Sequence, residues 1–206
     1  MVLIHPTYFS PVVQYVHISK SSGIIFEVFD NFQKQTYRNR CHIYSAQGKL
    51  MLNVPIVHQK GIKQLTRDVK IDYKSAWNKQ HLKSIQTAYS SSPFFEFYVD
   101  DLTTVLMKKY TYLNDLNLAC HDFVMDALAL ELPTSFSSYY ANEHVKNNLR
   151  SLANAKTEKN FNFSRYIQVF EQQHGYLSNL SILDLLFMEG PNALNYLESQ
   201  LLDDSC

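Results

Sequence analysis

Three segments near the amino terminus restrict this chain to a small number of folds. The apolar run from Val2 to Ile4 ends at His5, Pro11 opens a helical segment over Val12 to Ser19, and Ile24 to Phe29 is β-branched and aromatic. A strand, a loop, a short helix and a second strand within about 30 residues have the length of a βαβ unit. Such units cross over with the right hand, and their ligand loop follows the first strand.

The next segments predict antiparallel strands. Residues 40–44 and 49–56 flank a turn that contains Gly48, and apolar side chains alternate with polar ones along the second segment. This pattern predicts a β-hairpin. Val69, Ile71 and Tyr73 alternate in the same way with Lys70 and Asp72, which predicts a further strand.

From Ser75 onward the apolar period changes to that of helices. Trp77, His81, Ile85 and Tyr89 recur every four residues, so a helix is expected there, and two more are expected over 101–110 and 113–128. Towards the carboxyl end, Ser181 and Asp184 form a capping-box pattern in which Asp184 is read as a cap residue. Pro191 after Gly190 suits a first helical turn.

These elements predict an α/β fold in which a small mixed sheet from the N-terminal third packs with helices from the C-terminal two-thirds. A chain of 206 residues with 46% hydrophobic content is long enough for one full core, so a single domain over 1–206 is expected. Residues 142–162 are polar and lack an apolar period, which predicts a flexible connection.

Composition excludes several classes of function. The formal net charge is zero, whereas a general nucleic-acid binder is far more basic, so no nucleic-acid partner is expected. The sequence has neither a secretory signal nor an apolar run of membrane-spanning length, and the three cysteines give no even disulfide framework, which together favour a cytoplasmic location. Cys41-His42 and Cys120-His121 lack spaced partner ligands, so no metal site is expected.

The densest polar cluster runs from Glu27 to His42. Arg38, Asn39 and Arg40, with Lys34 nearby, are suited to bind a phosphate or carboxylate, because guanidinium groups pair with such anions through two hydrogen bonds. Glu27 and Asp30 are candidate catalytic carboxylates. The alternative is a solvated loop whose charges pair internally.

His5 ends the first predicted strand, at the place where α/β enzymes hold ligands. A neutral imidazole there can act as acid, base or phosphate donor, with Tyr8 in the same loop, although a structural histidine remains the alternative. The loop contains no glycine, so a dinucleotide or P-loop cradle is not expected and the cofactor stays open.

Two further groups are weaker candidates for ligand binding. Trp77 and His81 share the apolar face of their helix and either line a pocket or belong to the core. His174 precedes Gly175 in a loop before a capped helix, a place that allows close approach of an anion but equally fits a tight turn.

Several motifs together resemble one known family over nearly the whole chain. In chain order they are Tyr8-Phe9-x-Pro11 with Tyr15, Gln35-Thr-Tyr-Arg-Asn-Arg40, Leu52-x-Val54-Pro55, Trp77-x-x-x-His81-Leu, Ala88-Tyr-x-x-x-Pro93-Phe-Phe-x-x-Tyr98 and Leu180-Ser-Ile-Leu-Asp-Leu-Leu-Phe187. This order of motifs resembles the WbqC-like proteins, and most closely their short Bacteroidetes-type members.

The resemblance implies a role in surface-polysaccharide or metabolite assembly, near sugar, acyl or aminoacyl transfer, so a transferase or ligase is one reading. The other is a noncatalytic binding or interaction protein, and the oligomeric state is left open. The catalytic reading requires that the segment after the second strand folds back over the end of the first, so that arginine and imidazole share one cleft with an anionic small molecule.

Overall fold

The computed structural model describes residues 1–57, 63–140, 147–156 and 161–202. Its strands are β1 (Val2–Ile4), β2 (Ile24–Phe26), β3 (Arg40–Ser45), β4 (Gly48–Asn53) and β5 (Thr134–Phe136). Its helices are α1 (Val12–Ser19), α2 (Trp77–Tyr89), α3 (Phe95–Met107), α4 (Leu113–Ala127), α5 (Glu171–His174), α6 (Ile182–Glu189) and α7 (Ala193–Ser199). Short 3₁₀ turns occupy Thr66–Asp68, Arg150–Ala153 and Gly190–Asn192. The fold is α/β, as the sequence predicts.

The predicted βαβ unit is confirmed. Strands β1 and β2 are parallel, with Val2 opposite Ile24, and α1 connects them. A third parallel strand, β5, pairs with the other edge of β2, so the spatial order is β1, β2, β5. Side chains of β1 and β2 lie almost entirely inside the core, as expected for strands covered on two faces.

The chain returns to the far side of β1 after β5. Residues 147–149 run parallel to β1 and are held by hydrogen bonds from Leu3 N to Asn147 O (3.1 Å) and from Leu149 N to Leu3 O (2.8 Å). From β1 the chain therefore adds strands first on one side and then on the other. In α/β sheets, ligands bind where this direction changes, at the carboxyl ends of the strands.

The hairpin is confirmed as β3 and β4, which pair antiparallel from Arg40 with Asn53 to Ser45 with Gly48. The strand predicted over Val69 to Tyr73 is wrong. Ile71 bridges Ile56 while Lys70 bridges Tyr112, so two neighbouring residues pair with different segments and no ladder extends. The predicted alternation of faces is nevertheless present, because Val69 and Ile71 are buried and Lys70 is exposed.

The helices share one hydrophobic core with the parallel strands. The structure confirms the predicted helices α2 and α4, whereas α3 begins at Phe95, six residues before the predicted start. Strand β5 has no counterpart in the sequence prediction, since all three of its residues are exposed and show no alternating pattern.

The capping pattern of α6 is only half present. Ser181 is the N-cap and its hydroxyl accepts from Leu183 N, but reading Asp184 as a cap residue is wrong. The Asp184 carboxylate is fully buried and accepts hydrogen bonds from Tyr89 (2.8 Å), Tyr166 (2.6 Å) and Gln168 (2.8 Å). It therefore joins α6 to α2 and to the segment before α5.

Of the predicted connection over 142–162, residues 142–146 and 157–160 lie outside the described residues. Within residues 147–156, the 3₁₀ turn follows the segment that pairs with β1, and Ala153 O accepts from Tyr37 N at 2.8 Å. None of the helices in the described parts of the chain is both long and apolar enough to span a bilayer.

Candidate functional site

A cleft of about 390 Å³ opens at the carboxyl ends of β1 and of the segment that pairs with it. Its walls are formed by His5, Asp30, Gln33, Thr36, Arg38, Tyr140, Asn148, Arg150, Ser151, Ala153 and Asn154. His5 follows β1, Asn148 lies in the extended segment on the other side of β1, and Arg150 follows that segment. The cleft thus occupies the place where the strand order changes direction.

Three hydrogen bonds hold the segment after β2 over the end of β1. Tyr8 N donates to Tyr37 O (2.9 Å), and the Asn117 side chain on α4 donates to both Pro6 O (3.1 Å) and Arg38 O (2.8 Å). Asn117 is fully buried. The loop that carries Arg38 is therefore fixed by the core rather than free in solvent.

His5, Asp30 and Arg38 form one buried network. Arg38 Nη2 lies 2.7 Å from His5 Nε2 and 2.6 Å from Asp30 Oδ2. The side chains of His5 and Arg38 are only 3% and 2% exposed, whereas Asp30 is 13% exposed. Asp30 is thus the member of the network that is most accessible from the cleft.

The imidazole of His5 is neutral in this network. Burial lowers the pKa of His5 and the charge of Arg38 lowers it further, against the opposing effect of Asp30. His5 Nδ1 lies 3.3 Å from Glu27 O, which can only accept, so Nδ1 carries the proton and Nε2 accepts from Arg38. The 3.2 Å approach of Nε2 to Asp30 is then a contact between two acceptors bridged by Arg38.

The carboxylate of Asp30 is the anionic partner of Arg38. Burial alone raises the pKa of Asp30, whereas the contacts with His5 and with the Arg38 guanidinium lower it, and the net pKa lies below the usual value. Burial also lowers the pKa of Arg38, which the contacts with Asp30 counteract. The pair is therefore ionised at neutral pH.

Arg38 retains donors that the network does not use. Its contacts with His5 and Asp30 are both made by Nη2. Nε is buried without a hydrogen-bond partner. A guanidinium that is 98% buried seldom leaves donors unpaired unless water or a ligand meets them.

A second arginine and carboxylate pair lies against the same cleft. Arg150 Nη1 is 3.3 Å from Glu27 Oε2, and the two side chains are 8% and 0% exposed. Glu27 Oε1 accepts from Phe29 N (2.8 Å) and from the Ser137 hydroxyl (2.9 Å), while Arg150 Nε donates to Asn148 Oδ1 (3.0 Å). Glu27 is thereby fixed by β2 and by the residue after β5.

Among the residues predicted for the site, His5, Asp30 and Arg38 line the cleft, and Glu27 supports it through Arg150. The neighbours of Arg38 lie elsewhere. The Asn39 side chain donates to Asn53 Oδ1 and Val54 O, so it connects the start of β3 to the end of β4. Arg40 Nη1 contacts the Met51 sulfur. Lys34 is exposed and does not line the cleft.

The other predicted ligand residues form two separate groups. The hydroxyl of Tyr8 bonds His81 Nδ1 at 2.9 Å and Trp77 packs edge-on against both rings, all within the core and outside the cleft. Burial lowers the pKa of His81 to about 4. His174 bonds Ala46 O at 2.8 Å, next to the turn of the hairpin.

Sequence reasoning missed Arg150 and Tyr140 because they lie in or next to a stretch with no apolar period. The only signal available was that Arg150 lies within this polar stretch and that two tyrosines precede it. Their position in the cleft follows from backbone pairing of residues 147–149 with β1, which no side-chain pattern encodes.

A larger cleft of about 520 Å³ lies between α3 and α4. Phe97, Tyr98 and Phe123 line it together with exposed carboxylates such as Asp122 and Asp126. It contains no buried charged group with unpaired donors, so we place the candidate site in the smaller cleft. Within the described ranges, no cluster of three or more histidine, cysteine or acidic residues could hold a metal ion.

Comparison with known proteins agrees with the motifs. The model of the WbqC-like protein family matches residues 6–160, which include Asp30, Arg38, Tyr140 and Arg150. An uncharacterized protein of Mycobacterium tuberculosis, Rv1507c, is 24% identical over 182 residues, which cover 87% of this chain and 68% of that protein. No solved structure matches the chain.

Proposed function

The chain belongs to the WbqC-like protein family, and we propose that it binds an anionic small molecule, bearing a phosphate or a carboxylate, in the cleft between Arg38 and Arg150. The observation that carries the proposal is the buried Nε of Arg38, a donor without a partner in a side chain that is 98% buried on the cleft wall. An anion there satisfies a donor whose burial otherwise costs about 1 to 3 kcal/mol.

The Asp30 carboxylate orients Arg38 and does not occupy all of its donors. Each guanidinium has five donors, and Asp30 and His5 engage only Nη2 of Arg38. The neutral His5 adds no charge to the site, so two guanidinium groups and two carboxylates leave the cleft without net repulsion for an anion. Hydrogen bonds to charged groups are strengthened in such a buried setting.

We further propose that the protein acts as an enzyme of surface-polysaccharide or metabolite assembly, in sugar, acyl or aminoacyl transfer. Among the candidate catalytic groups, Asp30 is the most accessible from the cleft, while His5 and Glu27 are buried and hold Arg38 and Arg150. Asp30 is therefore the residue placed to interact with a transferred group, and the other two position the anion-binding side chains.

Thermal shift and calorimetry with phosphates, nucleotide sugars, acyl phosphates and amino acids test the binding proposal. A ligand at 100 times its dissociation constant stabilises the protein by about 2.7 kcal/mol. Arg38→Lys and Arg150→Lys should each lose the shift, because one ammonium group cannot both keep the bonds to the neighbouring carboxylate and reproduce the separate donors of a guanidinium group. Arg40→Lys is the matched control and should retain it, since Arg40 lies on β3 against Met51.

Loss of binding in Arg40→Lys together with retention in Arg38→Lys would contradict the proposal. Catalysis is separated from binding by Asp30→Asn, with mass spectrometry of the ligand after incubation with candidate acyl, aminoacyl and sugar donors. Unchanged ligand in the unsubstituted protein across these donors would favour the noncatalytic binding protein.

A further inference from the structure

We propose that the anion bound in this cleft is the phosphate of a nucleotide whose base packs against Tyr140. The inference rests on the proposed function, since the phosphate occupies the site of Arg38 and Arg150. The inference adds the chemical class of the ligand to that proposal.

Tyr140 is a lining residue of the cleft that remains open to solvent. Its residue surface is 49% exposed, and the Arg150 guanidinium lies over its ring with Cζ 4.7 Å from the centroid. One face of the ring is thus held by the same side chain that binds the anion in our proposal, and the exposed side is available to a ligand.

The backbone before Tyr140 is anchored to the site. Tyr140 follows β5, and the Ser137 hydroxyl donates to Glu27 Oε1 and accepts from Val28 N. The carboxylate that fixes Arg150 therefore also fixes the start of the loop that carries Tyr140. An aromatic ring and an anion-binding guanidinium are held in one unit.

A flat base suits this arrangement better than a sugar ring alone. Exposed aromatic side chains stack on nucleobases, and each such contact strengthens binding by roughly tenfold or more. The cleft volume of about 390 Å³ lies in the range of small-ligand sites. Arg38 and Tyr140 both line the cleft, so a compound with an anion at one end and a planar ring at the other can contact both.

Two arginines on different walls favour phosphate over carboxylate. Arg38 comes from the loop after β2 and Arg150 from the segment beyond β1. A carboxylate presents two oxygens in one plane and suits one guanidinium group, whereas a phosphate monoester presents three oxygens that can accept from two guanidinium groups at once. Ser151 supplies a hydroxyl group beside Arg150.

Calorimetry with AMP, UMP, ribose 5-phosphate, inorganic phosphate and phenylacetate tests the inference directly. The unsubstituted protein should bind AMP or UMP at least tenfold more tightly than ribose 5-phosphate. Tyr140→Ala should reduce this preference to less than threefold. Tyr140→Phe should keep the preference, and so should Tyr139→Ala, because Tyr139 is 71% exposed and does not line the cleft.

The outcomes separate the inference from the proposed function. Equal affinity for AMP, UMP and ribose 5-phosphate, with loss of all three in Arg38→Lys, would overturn the base contact and leave anion binding intact. Tighter binding of phenylacetate than of AMP would overturn the choice of phosphate. Absence of binding for every phosphate would overturn the inference, and absence for carboxylates as well would overturn the proposed function.

Discussion

His5 and Arg38 are joined by a hydrogen bond of 2.7 Å between Nε2 and Nη2, although 33 residues separate them in the chain. This bond requires a neutral imidazole, because an Nε2 that carried a proton could not accept from the guanidinium. The end of β1 and the loop after β2 thereby fix one guanidinium group at the cleft wall. Arg38 is held in place before any ligand arrives.

Removing Arg38 should therefore destabilise the protein in the absence of ligand. Arg38→Ala leaves Asp30 without its charge partner and His5 without a donor, and we expect the free energy of unfolding to fall by about 2 to 4 kcal/mol. Arg40→Ala should cost less than about 1 kcal/mol, since Arg40 makes only a weak contact with Met51. Urea unfolding of both variants measures the difference, and equal losses would contradict the network.

Fully buried histidines should make stability depend on pH on the acid side. Burial lowers the pKa of His121 to about 4, as it does for His81. Between pH 6.5 and about 4 the unfolded chain takes up protons that the native state refuses, so the free energy of unfolding falls as the pH falls, by up to roughly 3 kcal/mol per histidine.

His121→Gln should remove one of these contributions, which a comparison of urea unfolding at pH 7 and pH 4.5 detects. Tyr15→Phe is the control, because it deletes the hydroxyl that bonds His121 at 3.1 Å and keeps the titrating ring. A His121→Gln protein that loses as much stability on acidification as the unsubstituted protein would show that His121 is not the source.

Asp184 should matter more to stability than the helix cap beside it. Asp184→Ala leaves the donors of Tyr89, Tyr166 and Gln168 without their buried acceptor, and we expect a loss of about 3 kcal/mol. Ser181→Ala should cost about 1 kcal/mol, the usual value for an N-cap. Chemical denaturation ranks the two, and a larger effect of Ser181→Ala would contradict the tethering role of Asp184.

The two glycines of the carboxyl-terminal region should respond differently to an added methyl group. Both have positive φ, +51° at Gly190 and +77° at Gly175, so alanine is strained at either position by about 1 kcal/mol or more. A Cβ on Gly190 would also lie 2.4 Å from the Phe94 ring, whereas a Cβ on Gly175 meets nothing within 4 Å.

Gly190→Ala should therefore lower the melting temperature clearly more than Gly175→Ala does. Both variants place alanine at a positive φ, and Gly190→Ala adds the clash with Phe94. Equal melting temperatures would mean that the ring of Phe94 moves away without cost.

The local pattern was sufficient to predict β1, α1, β2, the hairpin and the helices α2 and α4. Their signals are short-range: Pro11 and Gly23 bracket α1, and a four-residue period marks α2. Strand β5 carries no such signal, because its place beside β2 depends on backbone pairing of three exposed residues. The alternation at Val69 to Tyr73 correctly predicted which side chains are buried. It could not show that adjacent residues pair with two different segments and so form no continuous strand.

Sequence reasoning grouped Arg38 and Arg40, yet the structure separates them. Arg38 precedes β3 in a turn where Asn39 N bonds Thr36 O, whereas Arg40 is the first residue of the strand. Arg150, more than 100 residues from Arg38 in the chain, lines the same cleft because residues 147–149 pair with β1. Arg40, only two residues from Arg38, does not line it. Such long-range pairing is not encoded in the spacing of side chains.

The most direct measurement of the central claim is a crystal of the protein soaked in tungstate, a heavy oxyanion whose anomalous signal gives its position. We predict a peak within hydrogen-bonding distance of both Arg38 and Arg150, absent from crystals of Arg38→Lys and retained in Arg40→Lys. A peak beside Arg40 with an empty cleft, or no peak between Arg38 and Arg150 at saturating tungstate, would contradict it.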